Sequence, residues 1–291
     1  MTIISQINPA TLSIILPCLN ESQSLQTLLA RLTSYYPDTE IIVVDDGSSD
    51  DSASIAEKAG AKVIRHPYSM GNGAAIKSGA RAASGEILVF MDADGQHAPK
   101  DIERLLSQLA QGYDMVVGAR SADSQANVGR WLANSFYNWL SSWMVGHRIA
   151  DLTSGFRAVK ADKFQEFIYL LPNGFSYPTT ITMAFFRAGY SVSYIPIVAH
   201  KRIGKSHIRL RDAMRFVLII FKIGTLYAPL KLFGSLSLGF FSLGLSYYLY
   251  TFTTAGRFTN MGVLLFITSL LIFLIGLVSE QITQLLYSRK E

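Results

Sequence analysis

The chain has 291 residues, 49% of them apolar and only 16% charged, with a formal net charge of +5. Soluble domains average about 25% charged residues, so the composition argues against an ordinary water-soluble enzyme. A single cysteine, Cys18, excludes an intrachain disulfide and fits a reducing compartment.

Met1–Ala10 has no basic segment followed by an apolar core, so no cleavable signal peptide is expected. Leu12–Leu16 reads as a strand and Glu21–Tyr35 as a helix, with Cys18 a small core residue at the strand end. Glu40–Asp45 follows as a strand, Asp51–Ala59 as a helix, Ala61–Arg65 as a strand and Gly71–Ala83 as a helix. Ile87–Met91 reads as the fourth strand, Pro99–Gln111 as a helix with proline in its first turn, and Met115–Gly118 as a short strand. Short apolar strands alternating with helices indicate an α/β fold with a mostly parallel sheet covered on both faces. Ligands in such folds sit at the carboxyl ends of the strands, where Asn20–Glu21, Asp45–Asp46, Asp92–Asp94 and Arg120 gather.

Beyond Arg120 the pattern changes. Asn127–Val145 reads as a long aromatic-rich helix, either packed in the core or lying at a membrane interface, where aromatics concentrate. Ile208–Ile223 places Arg211, Asp212, Arg215 and Lys222 on one side of an otherwise apolar helix, the pattern of a helix in the headgroup plane. No charge occurs between Lys231 and Arg257, or between Arg257 and Glu280. Each interval exceeds the roughly 20 residues that cross a bilayer core. The expected organisation is a cytoplasmic α/β domain at 1–207, an interfacial helix at 208–226 and a membrane hairpin at 227–291, with spans near 232–256 and 258–279.

Between His200 and Lys231 eight basic residues and one acid give a net +7, so the rest of the chain sums to −2. The loop between the spans offers only Arg257, so the N-terminal domain and Arg289–Lys290 are expected in the cytoplasm. A basic patch beside lipid favours anionic headgroups over nucleic acid.

The chemistry concentrates in Asp92-Ala93-Asp94-Gly95-Gln96-His97. Carboxylates two residues apart at a strand end can share a hard divalent cation, and Gln96 adds a neutral oxygen. Mg²⁺ or Mn²⁺, completed by waters and substrate phosphates, suits that donor set. Asp45-Asp46-Gly47-Ser48-Ser49-Asp50 leaves a strand for a helix. Its serines and Asp50 are good caps, while the paired acids can accept from a nucleobase N–H or ribose hydroxyls. Gly71-Asn72-Gly73 opens a helix where a phosphate could approach, although such a pair of glycines is mostly structural.

Pro17-x-x-Asn20-Glu21, Val44-Asp45-Asp46-Gly47-Ser48, the Asp92–His97 motif and Ser154-Gly155-Phe156-Arg157 together resemble family 2 inverting glycosyltransferases. Within them the chain is similar to the polyprenyl-phosphate sugar transferases, over roughly residues 12–215. The resemblance implies a GT-A (Rossmann-like) fold, a nucleotide-diphosphate sugar donor such as GDP-mannose or a UDP-hexose, a divalent metal and a polyprenyl phosphate acceptor. Its donor positions match Pro17, Leu19, Glu21, Val44, Asp46, Asp92, Ala93 and Arg120, and its metal ligands match Asp94 and Gln96. Asp92, Asp94 and Arg130 take the catalytic positions. Arg120, Arg130, Asn134 and Ser154 fall at acceptor-phosphate positions, Asn134 standing where relatives commonly carry serine. Leu19 stands where tyrosine is frequent, which removes a stacking face for the base. Lys201-Arg202-Ile203-Gly204-Lys205-Ser206 resembles a basic loop closing over the diphosphate, through Lys201 or Arg202 and through Lys205.

Two other functions share some of these features. Processive polysaccharide synthases carry Gln-x-x-Arg-Trp, whereas four residues separate Gln125 from Arg130-Trp131 here. A non-catalytic nucleotide-binding membrane anchor would have little reason to keep Asp92, Asp94 and Gln96 together. Membrane lipid is an expected partner, and a homo-oligomer is left open by the sequence.

Overall fold

Alternate residues of β1 (Leu12–Cys18) face opposite sides of a sheet, and both sides are apolar. Ile14 and Leu16 join Leu25, Leu28, Leu29 and Leu32 of α1 (Ser22–Tyr35) and Ile102, Leu105 and Leu109 of α4 (Asp101–Leu109) in one buried cluster. Ile15 points the other way, under α3 (Asn72–Ala82). A strand buried on both faces reads as a continuous apolar run rather than an alternating one, which is why these strands are legible in the sequence. This computed structural model describes residues 11–120, 128–174, 176–198 and 224–288, with backbone alone for 128–134 and 286–288. The amphipathic helix expected at Ile208–Ile223, and Lys201, Arg202 and Lys205, lie outside the described residues.

The sheet has seven strands, completed by β2 (Glu40–Asp45), β3 (Lys62–Arg65), β4 (Ile87–Phe90), β5 (Met115–Arg120), β6 (Arg157–Lys160) and β7 (Val192–Ile197), in the order β3-β2-β1-β4-β6-β5-β7. All neighbours pair in parallel except β6, which is antiparallel to both β4 and β5. The reversal has a functional consequence. The start of an antiparallel strand lies beside the carboxyl ends of its parallel neighbours, so residues 151–156 arrive at the same edge as Asp92 and Arg120.

Element ends differ from the sequence reading in small, explicable ways. β1 continues to Cys18 because Pro17 and Cys18 still pair with Val44 and Asp45 of β2. β5 continues to Arg120 because β7 pairs with it over that whole length. Pro99 precedes α4 rather than opening it, and Asp101 and Glu103 occupy the first turn, where acids complement the helix dipole. Remaining helices of this part are α2 (Ser52–Lys58), α5 (Val128–Val145), α6 (Ala161–Gln165) and α7 (Tyr177–Arg187). The core reading of the aromatic helix describes one face of α5, and the other face is exposed. Tyr137 and Ser141 are buried, while Phe136 and Trp139 are 55% and 62% exposed.

The chain divides into two compact units, Met1–Ser142 with His147–His207, and Trp143–Gly146 with Ile208–Glu291. The second contains α8 (Pro229–Ala255) and α9 (Asn260–Ser288), two helices long and apolar enough to cross a membrane. Gly256 turns the chain in the left-handed region at φ +61°. Ser237 and Ser269 each donate to the other's carbonyl at 2.9 Å, and Gly244 admits the side chains of Leu265 and Phe266. Hydrogen bonds and small residues are what hold helices together where lipid removes the hydrophobic drive. Outward positions such as Leu238, Leu264 and Leu270 are more than half exposed, an apolar surface suited to hydrocarbon. α9 runs past the span expected to end at residue 279, because Glu280, Gln281 and Gln284 are compatible with helix and no glycine or proline follows. Lys231 does more than mark the membrane boundary, since its Nζ donates to the carbonyls of Trp143 and Met144 at 3.4 and 3.0 Å and so caps the last turn of α5.

Gly79 shows how tightly α3 lies on the sheet. A Cβ there would overlap Ile15 Cγ2 and press on Val44 Cγ2 at 3.2 Å. Both neighbours are fully buried and β-branched, so neither can rotate aside. Gly79→Ala should therefore destabilise the protein by about 1–3 kcal/mol, overpacking outweighing alanine's helix preference of about 1 kcal/mol. Denaturant unfolding of the full chain in detergent measures it, and a gain in stability would show that α3 can lift.

Candidate active site

Asn20 is the one non-glycine residue among the described residues in the left-handed region, at φ +56°. Asparagine tolerates that conformation better than most residues, and here it turns the chain sharply after β1. Its side-chain oxygen accepts from the Ser49 amide at 2.8 Å, and its own amide donates to Ser48 Oγ at 2.9 Å. The amides of Glu21 and Ser22 donate to Ser52 Oγ and Asp50 Oδ2 at 3.0 and 3.1 Å. The serines and Asp50 that read as helix caps thus join the loop after β2 to the loop after β1.

These loops, the turn before α3, the Asp92–Asp94 segment and the start of α7 enclose a cavity of about 390 Å³. Of the residues singled out from the sequence, Pro17, Leu19, Glu21, Asp46, Asp92, Ala93 and Asp94 line it together. Four stand outside the lining. Val44 is fully buried in β2. Gln96 lies just beyond Asp94, its amide donating to Asp94 Oδ1 at 3.1 Å. Arg120 is engaged behind Thr153, and Ser154 is buried with its hydroxyl donating to Gly118 O at 2.6 Å. Arg130 and Asn134 fall on the stretch of α5 described by backbone alone, and Arg202 and Lys205 outside the described residues.

Asp92 and Asp94 face the cavity from the end of β4. The imidazole of buried His97, stacked on Phe156 with ring centroids 4.9 Å apart, places Nε2 3.7 Å from Asp92 Oδ2. Gly155 leaves room for the Asp92 carboxylate, since a Cβ there would stand 3.1 Å from its Oδ2. Among the described residues no three His, Cys, Asp or Glu side chains gather at metal-binding distance. Asp94 and Gln96 offer two hard oxygens, a set that fits Mg²⁺ or Mn²⁺ completed by phosphate and water, and does not fit a closed zinc site.

Asp46 is more fully engaged than its motif suggests. Its Oδ1 accepts from His66 Nδ1 at 2.7 Å and the Met70 amide at 2.8 Å, and its Oδ2 from Ser69 Oγ at 2.9 Å and the Gly71 amide at 2.8 Å. Burial alone would raise its pKa, but these hydrogen bonds outweigh burial and hold the carboxyl below its usual range. Burial instead dominates at Cys18, pushing its thiol up to about 11 and making it a poor nucleophile at neutral pH.

Sequence reasoning missed Asp151, Thr153, His66 and Tyr177. Asp151 holds Arg120 through Nε at 2.8 Å and Nη2 at 3.1 Å, and Thr153 Oγ1 accepts from the same Nη2 at 2.6 Å. The arginine's Nη1 edge has no partner among the described residues. Asp151-x-Thr153, two residues ahead of the Gly155-Phe156-Arg157 motif, was the available signal. Arg157 itself lies fully buried in β6, donating to Pro178 O and Thr182 Oγ1 at 3.2 Å.

Residues 13–168 match the family model of glycosyl transferase family 2. The chain belongs to this family. In this glycosyltransferase, residues 228–285 further match the GtrB C-terminal hairpin. The enzyme is 28% identical over 221 residues to the polyprenol monophosphomannose synthase of Mycolicibacterium smegmatis, covering 69% of this chain and 83% of that protein. It is 29% identical over 207 residues to the undecaprenyl-phosphate mannosyltransferase of Micrococcus luteus, covering 66% and 85%. Glucosyl-3-phosphoglycerate synthase from Mycobacterium tuberculosis, crystallised with Mn²⁺, UDP and phosphoglyceric acid, shares the fold with a TM-score of 0.60 at 22% identity, over 74% of this chain and 77% of that one.

The Arg120–Asp151 pair makes a pH prediction. Burial would raise the Asp151 pKa, but bonds to Arg120 and its charge lower it. A carboxyl depressed on folding stabilises fully above its unfolded value of about 4, and that stability is lost as pH falls through the folded value. Asp151→Asn should cost about 2 kcal/mol at neutral pH and flatten the acid limb of the stability profile. Denaturant unfolding across acid to neutral pH checks both, and an unchanged acid limb would contradict the assignment.

Proposed function

We propose that the enzyme transfers a sugar from a nucleoside diphosphate donor, GDP-mannose or a UDP-hexose, to a polyprenyl phosphate such as dolichyl or undecaprenyl phosphate, with inversion and dependence on Mg²⁺ or Mn²⁺. One observation carries this reading: a single cavity gathers residues from the ends of β1, β2 and β4 in a chain that also has an apolar helical hairpin. The names of the mycobacterial and Micrococcus relatives support the lipid phosphate acceptor. The catalytic domain is assigned to the cytosolic face on the charge around the hairpin.

Pro17, Leu19, Glu21 and Asp46 form the part of the cavity given to the nucleoside, and Asp92 and Ala93 adjoin the sugar and diphosphate. Val44 contributes through the strand that carries Asp46. Asp94 and Gln96 would hold the divalent cation, which when bound neutralises charge on the departing diphosphate. A phosphate monoester has a second pKa of about 6 and is largely dianionic at neutral pH, so its oxygen is nucleophilic without a protein base. Positioning is what remains. Arg130, with Asn134 one helical turn on, is assigned to the acceptor phosphate, and Arg120 to the junction of the two substrates. Its Nε and Nη2 are fixed by Asp151 and Thr153, which leaves the N–H groups of Nη1 for a phosphate. Ser154, whose hydroxyl donates to the Gly118 carbonyl, is assigned to the same acceptor end of the site. Arg202 and Lys205 are assigned to closing over the diphosphate. Attack opposite the leaving diphosphate inverts the anomeric carbon.

A panel of nucleotide sugars offered to the purified protein with undecaprenyl phosphate, followed by extraction of labelled lipid, tests the assignment. Asp94→Ala should abolish lipid labelling while the protein remains folded and membrane-bound. Full labelling by that variant, or by wild type with excess chelator, would refute the metal role. Arg130→Ala should impair transfer yet leave calorimetric affinity for the donor nearly unchanged, whereas a large loss of donor affinity would move Arg130 to the other substrate.

A further inference from the structure

β3 ends at Arg65, and the next residue, His66, has a side chain only 7% exposed. Its ring bridges two elements. Nδ1 lies 2.7 Å from Asp46 Oδ1, and Nε2 lies 2.9 Å from Ser78 Oγ on α3. Nδ1 is the donor to Asp46, because an ionised carboxylate can only accept, while the Ser78 hydroxyl can meet Nε2 in either sense. His66 is thereby fixed at both ends, and its amide donates to Asp45 O at 2.8 Å.

The other three donors to Asp46, from Ser69, Met70 and Gly71, belong to a single turn. Ser69 and Gly71 line the cavity beside Asp46. A carboxylate offers about four acceptor positions, and all four are filled from within the chain. These four bonds hold the carboxylate in one orientation at the cavity wall. What it does is clamp the turn, and His66 is the one donor to it that the turn does not supply. Gly71 shows how closely the turn is held: at φ +103° it packs so near Asn173 O that a Cβ would stand 2.5 Å away.

We propose that His66 is a positioning residue for nucleoside diphosphate binding, orienting the Asp46 carboxylate and, through it, the Ser69–Gly71 wall of the cavity. The inference rests on assigning this cavity to a nucleoside diphosphate. Without the ring, Oδ1 loses its one anchor to the sheet and α3. The carboxylate can then rotate with the turn, and the wall loses its fixed shape.

The test is calorimetric titration of UDP and of GDP, each with Mn²⁺, into the full chain in detergent as wild type, His66→Leu, His66→Asn and His66→Gln. Asparagine places its amide nitrogen near the Nδ1 position, while glutamine places it near Nε2. His66→Leu should bind the nucleotide that wild type binds about tenfold more weakly, the equivalent of one lost charge-assisted hydrogen bond. His66→Asn should stay within about threefold of wild type, and His66→Gln should lose affinity as leucine does. Lipid labelling at saturating donor should stay within about threefold of wild type in His66→Leu, because the defect lies in donor binding and not in transfer. A folded His66→Leu that binds as wild type overturns the proposal. If that variant does not fold, equal affinities for the asparagine and glutamine variants overturn it. Wild type binding neither UDP nor GDP would instead refute the assignment of the cavity, and the role of His66 with it.

Discussion

Strands buried on both faces can hold few polar side chains before they leave the sheet, and the acidic edge of this structure follows from that constraint. Asp45, Asp46, Asp92, Asp94 and Asp151 all accumulate at one edge, where mutual repulsion and desolvation must be met locally. The fold meets them in two ways. Asp46 and Asp151 are buried and fully engaged, the first by His66 and the Ser69–Gly71 turn, the second by Arg120 and Thr153. Asp92 and Asp94 face the cavity. Burial with several hydrogen bonds rigidifies the frame, so the two cavity-facing carboxylates stand on a fixed base.

The antiparallel strand β6 is the feature that makes this edge complete. Were it parallel to β4, the segment 151–156 would start from the opposite edge. Running the other way, it delivers Asp151 to Arg120 and Gly155 to Asp92. It also buries Arg157, whose Nη1 and Nη2 donate to carbonyl and hydroxyl oxygens rather than to a carboxylate, while its Nε has no partner among the described residues. Such an arrangement specifies one geometry, because few neighbouring chains could supply those acceptors together.

Particular residues show why some of this was legible in the sequence and some was not. β1, β2, β4 and β5 announce themselves because they are buried apolar runs with polar residues at their ends, and the motif residues Pro17, Asp46, Asp92 and Asp94 fell into one cavity for the same reason. β6 did not announce itself, since Arg-Ala-Val-Lys carries two charges in four residues and resembles a solvated turn; only a buried oxygen cage makes Arg157 a core residue. His66 gave no local signal, because its partners lie 20 and 12 residues away in opposite directions along the chain. Asp151 reaches back 31 residues to Arg120, a distance at which pattern carries no information.

The junction at Asn20 bears on how the protein is made. Every bond that joins the loop after β1 to the loop after β2 lies between residues 20 and 52. Chains emerge from the ribosome amino terminus first, at about 5–20 residues per second. The loops after β1 and β2 can therefore close on each other seconds before Asp92 and Asp94 are synthesised, and before any apolar helix of the hairpin exists. Synthesis would then present a half-built pocket whose polar edge is already internally paired, leaving fewer unpaired carboxylates to misdirect the chain while the hairpin is still to come.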